Sequence, residues 1–222
     1  MFVTVEQRRR QQVPWATIAI IAICVAVFLS LAGLSADART QALRNWGTVP
    51  AMLSSDAVPL AFKGLRLVTS LFIHVDWLHI VGNLLFLMIF GLSAERALGS
   101  RRFVALFLAA GAVANLTGAL TLQNASAPII GSSGAVSAIV GAYFALFPRA
   151  RLGLVLPLGL FLEFVRIPAP ALIGFWILLQ LLFTFVGPSF GAVVWWTHIA
   201  GFAAGILFAL VSRPAIARRL RQ

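Results

Sequence analysis

The sequence predicts an all-α polytopic membrane protein. It reads as a bundle of six transmembrane helices with a long interfacial first loop and a submerged start to the fourth helix. Three observations carry this. Of the 222 residues, 61% are hydrophobic and only 10% charged, with a mean hydropathy of +0.99. Six apolar runs approach the length that crosses a hydrocarbon core. The cations gather between alternate runs instead of spreading along the chain.

A basic tail over residues 1–14, with Arg8, Arg9 and Arg10, leads into the first apolar run at about 15–34. That run is full length and no small-residue cleavage site follows it, so it is expected to stay as a helix rather than leave as a signal peptide. Cys24 lies at its middle as the sole cysteine. It reads as a small buried apolar residue. Residues 35–75 form the longest stretch without a helical signature. "WGTVPAMLSSDAVPLAFKGLRLVTSLF" is too apolar for a free linker, and prolines and glycines punctuate it. A compact loop lying in the interface is expected there.

The second and third runs fall at about 76–94 and 103–122. The fourth, 132–147, is short. From Gly134 to Phe147 it spans roughly 21 Å at about 1.5 Å per residue, against a core of about 30 Å. With Arg149 marking the inner surface, the helix starts below the outer one. Irregular backbone at that depth must be buried in protein or line a wet cavity, so a polar pocket opening outward is predicted. Next comes "RARLGLVLPLGLFLEFVRIPAP", which is apolar but broken by Pro157, Pro168 and Pro170. It fits a short interfacial hairpin or a re-entrant piece. The last two runs are 168–186 and 194–212, and residues 213–222 form a second basic tail.

The net charge of +11 could point to nucleic acid, but its placement points to topology. Arginines precede the first helix, flank the turn between helices two and three (Arg96, Arg101, Arg102), follow helix four (Arg149, Arg151, Arg166) and close the chain (Arg213, Arg218, Arg219, Arg221). The positive-inside rule then places both termini in the cytosol. A bacterial plasma membrane is the expected location. The bilayer is the expected partner of the basic segments, and nucleic acid is not. No separate soluble domain remains, so chemistry must occur within residues 15–212.

Polar groups inside the membrane are few and fall at one depth. His79 and Asn83 share a face of helix two at i, i+4. His198 opens helix six, with Gly201 and Gly205 following on its face. On helix four, Ser133, Ser137 and Gly141 line one side, and Gly131 and Gly134 flank the serines. Small-residue stripes let helices approach closely, and packing the two stripes together makes Ser133 face His198. Helices two, four and six all run from outside to inside, so these groups meet in the outer half.

The residue types define a chemistry. A serine hydroxyl needs a base beside it, and histidine can take that proton and return it to a leaving amine. Acyl transfer also needs donors for the oxyanion. The Ser133 N–H at a helix N-terminus and the side chains of His79 and Asn83 can supply them. No acid completes a triad, although Asp76 could tune His79, so a Ser–His dyad is predicted. Neither metal nor cofactor is required. His74 reads as structural or interfacial, Asn115 and Thr117 as hydrogen-bond glue, Trp195 and Trp196 as interface anchors, and Glu95 with Arg96 as an ion pair at the inner end.

The combination resembles the rhomboid family of intramembrane serine proteases. The resemblance rests on "HVDWLHIVGNLLFLMIFGLSAERALGS", "GSSGAVSAIVGAY" and "HIAGFAAG", with "GTVP" and "LRLVTSLFIH" in the first loop. It implies Ser133 as nucleophile, His198 as general base, and His79, Asn83 and the Ser133 amide as the oxyanion site. Arg66 would be the arginine of the family's Trp-Arg loop element, with Leu65 in place of the tryptophan. Thr197 replaces the usual alanine, and Ser137 stands where some members place an aromatic against the histidine. Substrates would be transmembrane segments of membrane proteins, cut near the outer face after entering beside helix five, with Phe183 and Phe185 as gate candidates.

Rival readings are a proteolytically inactive protein that binds membrane helices, a transporter, and a b-type haem protein with His79 and His198 as axial ligands.

Overall fold

The computed structural model describes residues 13–53, 55–123, 125–158, 161–186 and 195–221. Most of the basic N-terminal tail lies outside these. Among the described residues four helices are long and apolar enough to cross a membrane: Trp15–Ala32 (α1), Trp77–Leu98, Ser100–Thr121 (α7) and the Trp195–Arg218 part of the last helix. The second is a continuous rod of α5 (Trp77–Phe86), a π-helical turn (Leu87–Gly91) and α6 (Leu92–Leu98). Two further apolar helices are α8 (Ser133–Leu146) and α9 (Ala169–Val186). The last helix, α10, runs from Trp195 to Arg221 through Pro214, so the second basic segment continues it as helix. Phe183 and Phe185 lie in α9, but their side chains lie outside the description.

The first loop departs from expectation. It is largely helical, with α2 (Ala36–Trp46), α3 (Pro50–Leu53), α4 (Leu60–Thr69) and a 3₁₀ turn (Ser70–Phe72). The physical reason is local. Ser35 caps α2 by accepting the Ala38 N–H, and Pro50 and Pro59 stand at helix starts, where a missing N–H costs nothing. The same prolines read from sequence as breakers. The all-α expectation also yields at one place. Arg151–Leu158 (β1) and Phe161–Pro168 (β2) pair antiparallel, from Arg151 opposite Pro168 to Leu158 opposite Phe161. This is the hairpin option for the broken apolar loop.

α8 sits at the centre. Every residue from Gly134 to Tyr143 is buried, as befits a helix that is apolar all round. Phe103, Leu106 and Phe107 of α7 and Leu71 of the first loop complete a core that Cys24 of α1 also joins. Close approach of α8 and α10 depends on glycines. A Cβ on Gly201 would collide with the Gly134 carbonyl, one on Gly205 with the Ala138 carbonyl, and one on Gly141 with the Phe202 carbonyl. The backbones therefore touch along three turns, which small residues alone permit.

Glu95 does not act simply as half of an ion pair with Arg96. Its buried carboxylate accepts from the Ala16 N–H (3.0 Å), the Thr17 N–H (2.7 Å), the Thr17 hydroxyl (2.7 Å) and the Ser100 hydroxyl (2.6 Å). It caps α1 from 79 residues away, satisfying orphan donors of the first turn. At the other end of α8, Arg213 donates to the Ala145 carbonyl at 3.0 Å.

Candidate active site

The segment entering α8 is tied at two points. Thr48 and Ile129 exchange backbone hydrogen bonds at 3.1 and 2.8 Å. The Gly131 N–H then donates to the Ser70 carbonyl at 2.9 Å. Gly131 has φ +108°, a conformation that only glycine adopts cheaply. The sharp turn it makes delivers Ser133 as the first residue of α8, where backbone N–H groups lack helical partners.

A buried polar hub underlies this turn. Asn115 of α7 donates to the Ser70 hydroxyl at 2.8 Å and to the Leu67 carbonyl at 3.1 Å. Thr48 hydrogen-bonds the Ser70 hydroxyl at 2.9 Å and donates to the Arg66 carbonyl at 2.9 Å. Arg66 donates to the Arg44 carbonyl at 3.2 Å and contacts the Met52 sulfur. It thus ties the first loop together without Trp at position 65. Thr117, read as glue beside Asn115, donates within its own helix to the Val113 carbonyl.

His79 stands over the Gly131 turn. Asp76 caps α5 by accepting the His79 N–H at 2.8 Å, which fixes where the ring begins. The Val75 N–H donates to His79 Nδ1 at 3.5 Å. With Nδ1 accepting, the neutral ring carries its proton on Nε2. That nitrogen faces Gly131 so closely that a Cβ there would lie 2.5 Å from it. Asn83, one turn further, points Nδ2 at the same place, 3.7 Å from that Cβ position. This amide nitrogen is buried and has no hydrogen-bond partner among the described residues. A buried donor without a partner is costly, so its retention at this spot points to a ligand atom.

His198 enters from α10. Gly134, the neighbour of Ser133, packs on Thr197: a Cβ there would lie 2.9 Å from the Thr197 methyl and 2.7 Å from Ala114. Gly201 lies against the Gly134 carbonyl. The turn of α10 that carries His198 is therefore level with Ser133. The Ser137 hydroxyl donates back to the Ser133 carbonyl at 2.7 Å. Trp195 packs edge-on against His198 at 5.8 Å, so of the two expected anchors only Trp196 is exposed.

His74 has a larger part than the sequence reading gave it. It is fully buried, its Nε2 hydrogen-bonds the Ser132 hydroxyl at 3.2 Å, and its ring lies 5.1 Å from His79. The usable signal was its spacing in "HVDWLH", but a turn intervenes and helical periodicity does not reach it. Burial, helped by the charge of His79, pushes the His74 imidazole down to about 4. The folded protein therefore disfavours protonation there relative to the unfolded chain. Stability from this group is complete above about pH 6.5 and is lost as pH falls toward 4, by about 3 kcal/mol in all. Thermal unfolding in detergent should show this decline, and His74→Gln should make it shallower. An equally steep decline in the variant would contradict the assignment.

The Rhomboid domain family matches residues 61–215 of this chain, more than half of it. Among curated proteins, the zebrafish (Danio rerio) presenilin-associated rhomboid-like protein A, mitochondrial, is 32% identical over 94 residues, covering 41% of this chain and 24% of that protein. The Arabidopsis thaliana RHOMBOID-like protein 12, mitochondrial, is 36% identical over 123 residues, covering 48% and 34%. The A. thaliana RHOMBOID-like protein 5 is 31% identical over 77 residues, covering 35% and 25%. The matches thus span about a quarter to a third of these relatives' lengths. With its apolar spans and its family match, the chain is an integral membrane protein that belongs to the rhomboid family.

Proposed function

We propose that this protein is an intramembrane serine endopeptidase that cuts transmembrane segments of membrane proteins through a Ser133–His198 dyad. The observation that carries the reading is the convergence of two donors, His79 Nε2 and the unpartnered Asn83 Nδ2, on the Gly131 turn that delivers Ser133.

The chemistry follows. Ser133 Oγ attacks a substrate peptide carbonyl while His198 takes the hydroxyl proton. The carbonyl oxygen becomes an oxyanion, held by the Ser133 N–H, His79 Nε2–H and Asn83 Nδ2–H. As the intermediate collapses, the C–N bond breaks and His198 gives its proton to the leaving amine. Water then attacks the acyl-serine, losing a proton to His198, and Ser133 leaves with that proton restored. A substrate helix hides its carbonyls in hydrogen bonds, so it must unwind locally first. Segments with Gly or Pro near the cut are the preferred substrates.

The architecture fits six spans, α8 and α9 joining the four long helices, with both termini in the cytosol and the site opening outward. The charge asymmetry supports that orientation, and a bacterial plasma membrane is our reading of the location. Substrates reach the site laterally, beside α9.

The test is cleavage of transmembrane reporters in proteoliposomes, read by mass spectrometry. A reporter with a Gly-rich outer end should be cut at one bond, and an all-Leu reporter should not. Cleavage of neither, by folded protein, would count against the protease reading. In the same assay Asn83→Ala should lower kcat by about 10²–10³ with little change in KM, as for loss of one oxyanion donor. A wild-type kcat in that variant would remove Asn83 from the site.

A further inference from the structure

His198 packs against two indoles. Trp195, three residues before it on α10, has its ring centroid 5.8 Å away at 84°. Trp176 comes from a different helix, α9, with its ring 6.4 Å from the imidazole at a tilt of only 32°. The same indole packs on Phe202, one turn further along α10, at 6.2 Å. The side chain one turn past Ser133 is Ser137, and its hydroxyl is turned back to the Ser133 carbonyl at 2.7 Å. Two aromatic walls, one on each of α9 and α10, therefore bound the histidine.

We propose that Trp176 is a positioning residue for the general base. With Trp195 it holds the imidazole in the rotamer that faces Ser133. Offset or edge-to-face packing of aromatic rings restricts how a ring can turn. A base held in line needs no reorganisation when the proton moves. The inference rests on the Ser133–His198 reading.

The test uses the full chain in proteoliposomes with a cleavable transmembrane reporter, comparing Trp176→Leu with Trp176→Phe. Trp176→Leu should lower kcat about tenfold while KM stays within about twofold. Trp176→Phe should restore most of the loss, because it returns an aromatic face, while both variants unfold near the wild-type temperature. Equal losses in the Leu and Phe variants would reduce Trp176 to packing, and a change in KM alone would make it a substrate contact. A wild-type kcat in Trp176→Leu would overturn the inference outright. Should Trp176→Leu not fold, Trp195→Leu and Trp195→Phe supply the same comparison at the other wall. An inactive wild type would defeat the protease reading and this inference together, whereas an active wild type indifferent to Trp176 would defeat only this one.

Discussion

Ser133→Ala and His198→Ala should each lower cleavage of a transmembrane reporter by more than about 10³-fold while the protein stays folded. The two losses should not add, because nucleophile and base act as one unit. The structural basis is the level packing of α8 on α10. Gly201 meets the Gly134 carbonyl and Gly134 meets Thr197, so residues 133 and 198 sit at the same height of two touching helices. Neither substitution removes a core contact of the kind made by Phe103 or Ile139. Circular dichroism and gel filtration should therefore match the wild type. Substantial cleavage by Ser133→Ala would put the nucleophile elsewhere.

Gly205→Val should be the most damaging single change to the fold. A Cβ on Gly205 runs into the Ala138 carbonyl and its bonded atoms, which are helix backbone and cannot swing aside. Valine adds two methyls to that collision and must push α10 from α8. We expect a stability loss of about 3 kcal/mol or more, and with it loss of activity, since the same seam sets the height of His198. Gly174→Ala on α9 is the control. Nothing lies within 4 Å of its added Cβ, and alanine favours a helix by about 1 kcal/mol over glycine. Thermal unfolding of both variants checks the pair, and a Gly205→Val protein as stable as the control would refute the seam.

Which features were legible in the sequence follows from the range over which each is encoded. Apolar runs announce membrane helices because the bilayer fixes their length. His79 and Asn83 could be paired from spacing alone, since i and i+4 share a helix face wherever the helix lies. The glycine stripes of α8 and α10 were readable for the same reason. The first loop was not. Pro50 and Pro59 signal a helix start and a break with the same letter, and only the backbone shows which applies. Nor was the role of Glu95, whose partners Ala16 and Thr17 are nearly eighty residues distant and leave no periodic trace. The Ser132–His74 bond and the Asn115–Ser70–Thr48 hub are of this kind too. Each joins different helices or loops, so polar residues that read singly as glue become a support for the turn at Gly131.

The most direct measurement of the central claim is labelling of the purified protein with a fluorophosphonate, which reacts with activated serines, followed by mass spectrometry of the modified peptide. The account predicts a single adduct on Ser133 that disappears in both Ser133→Ala and His198→Ala. An adduct on another serine, or labelling of Ser133 that persists without His198, would contradict it.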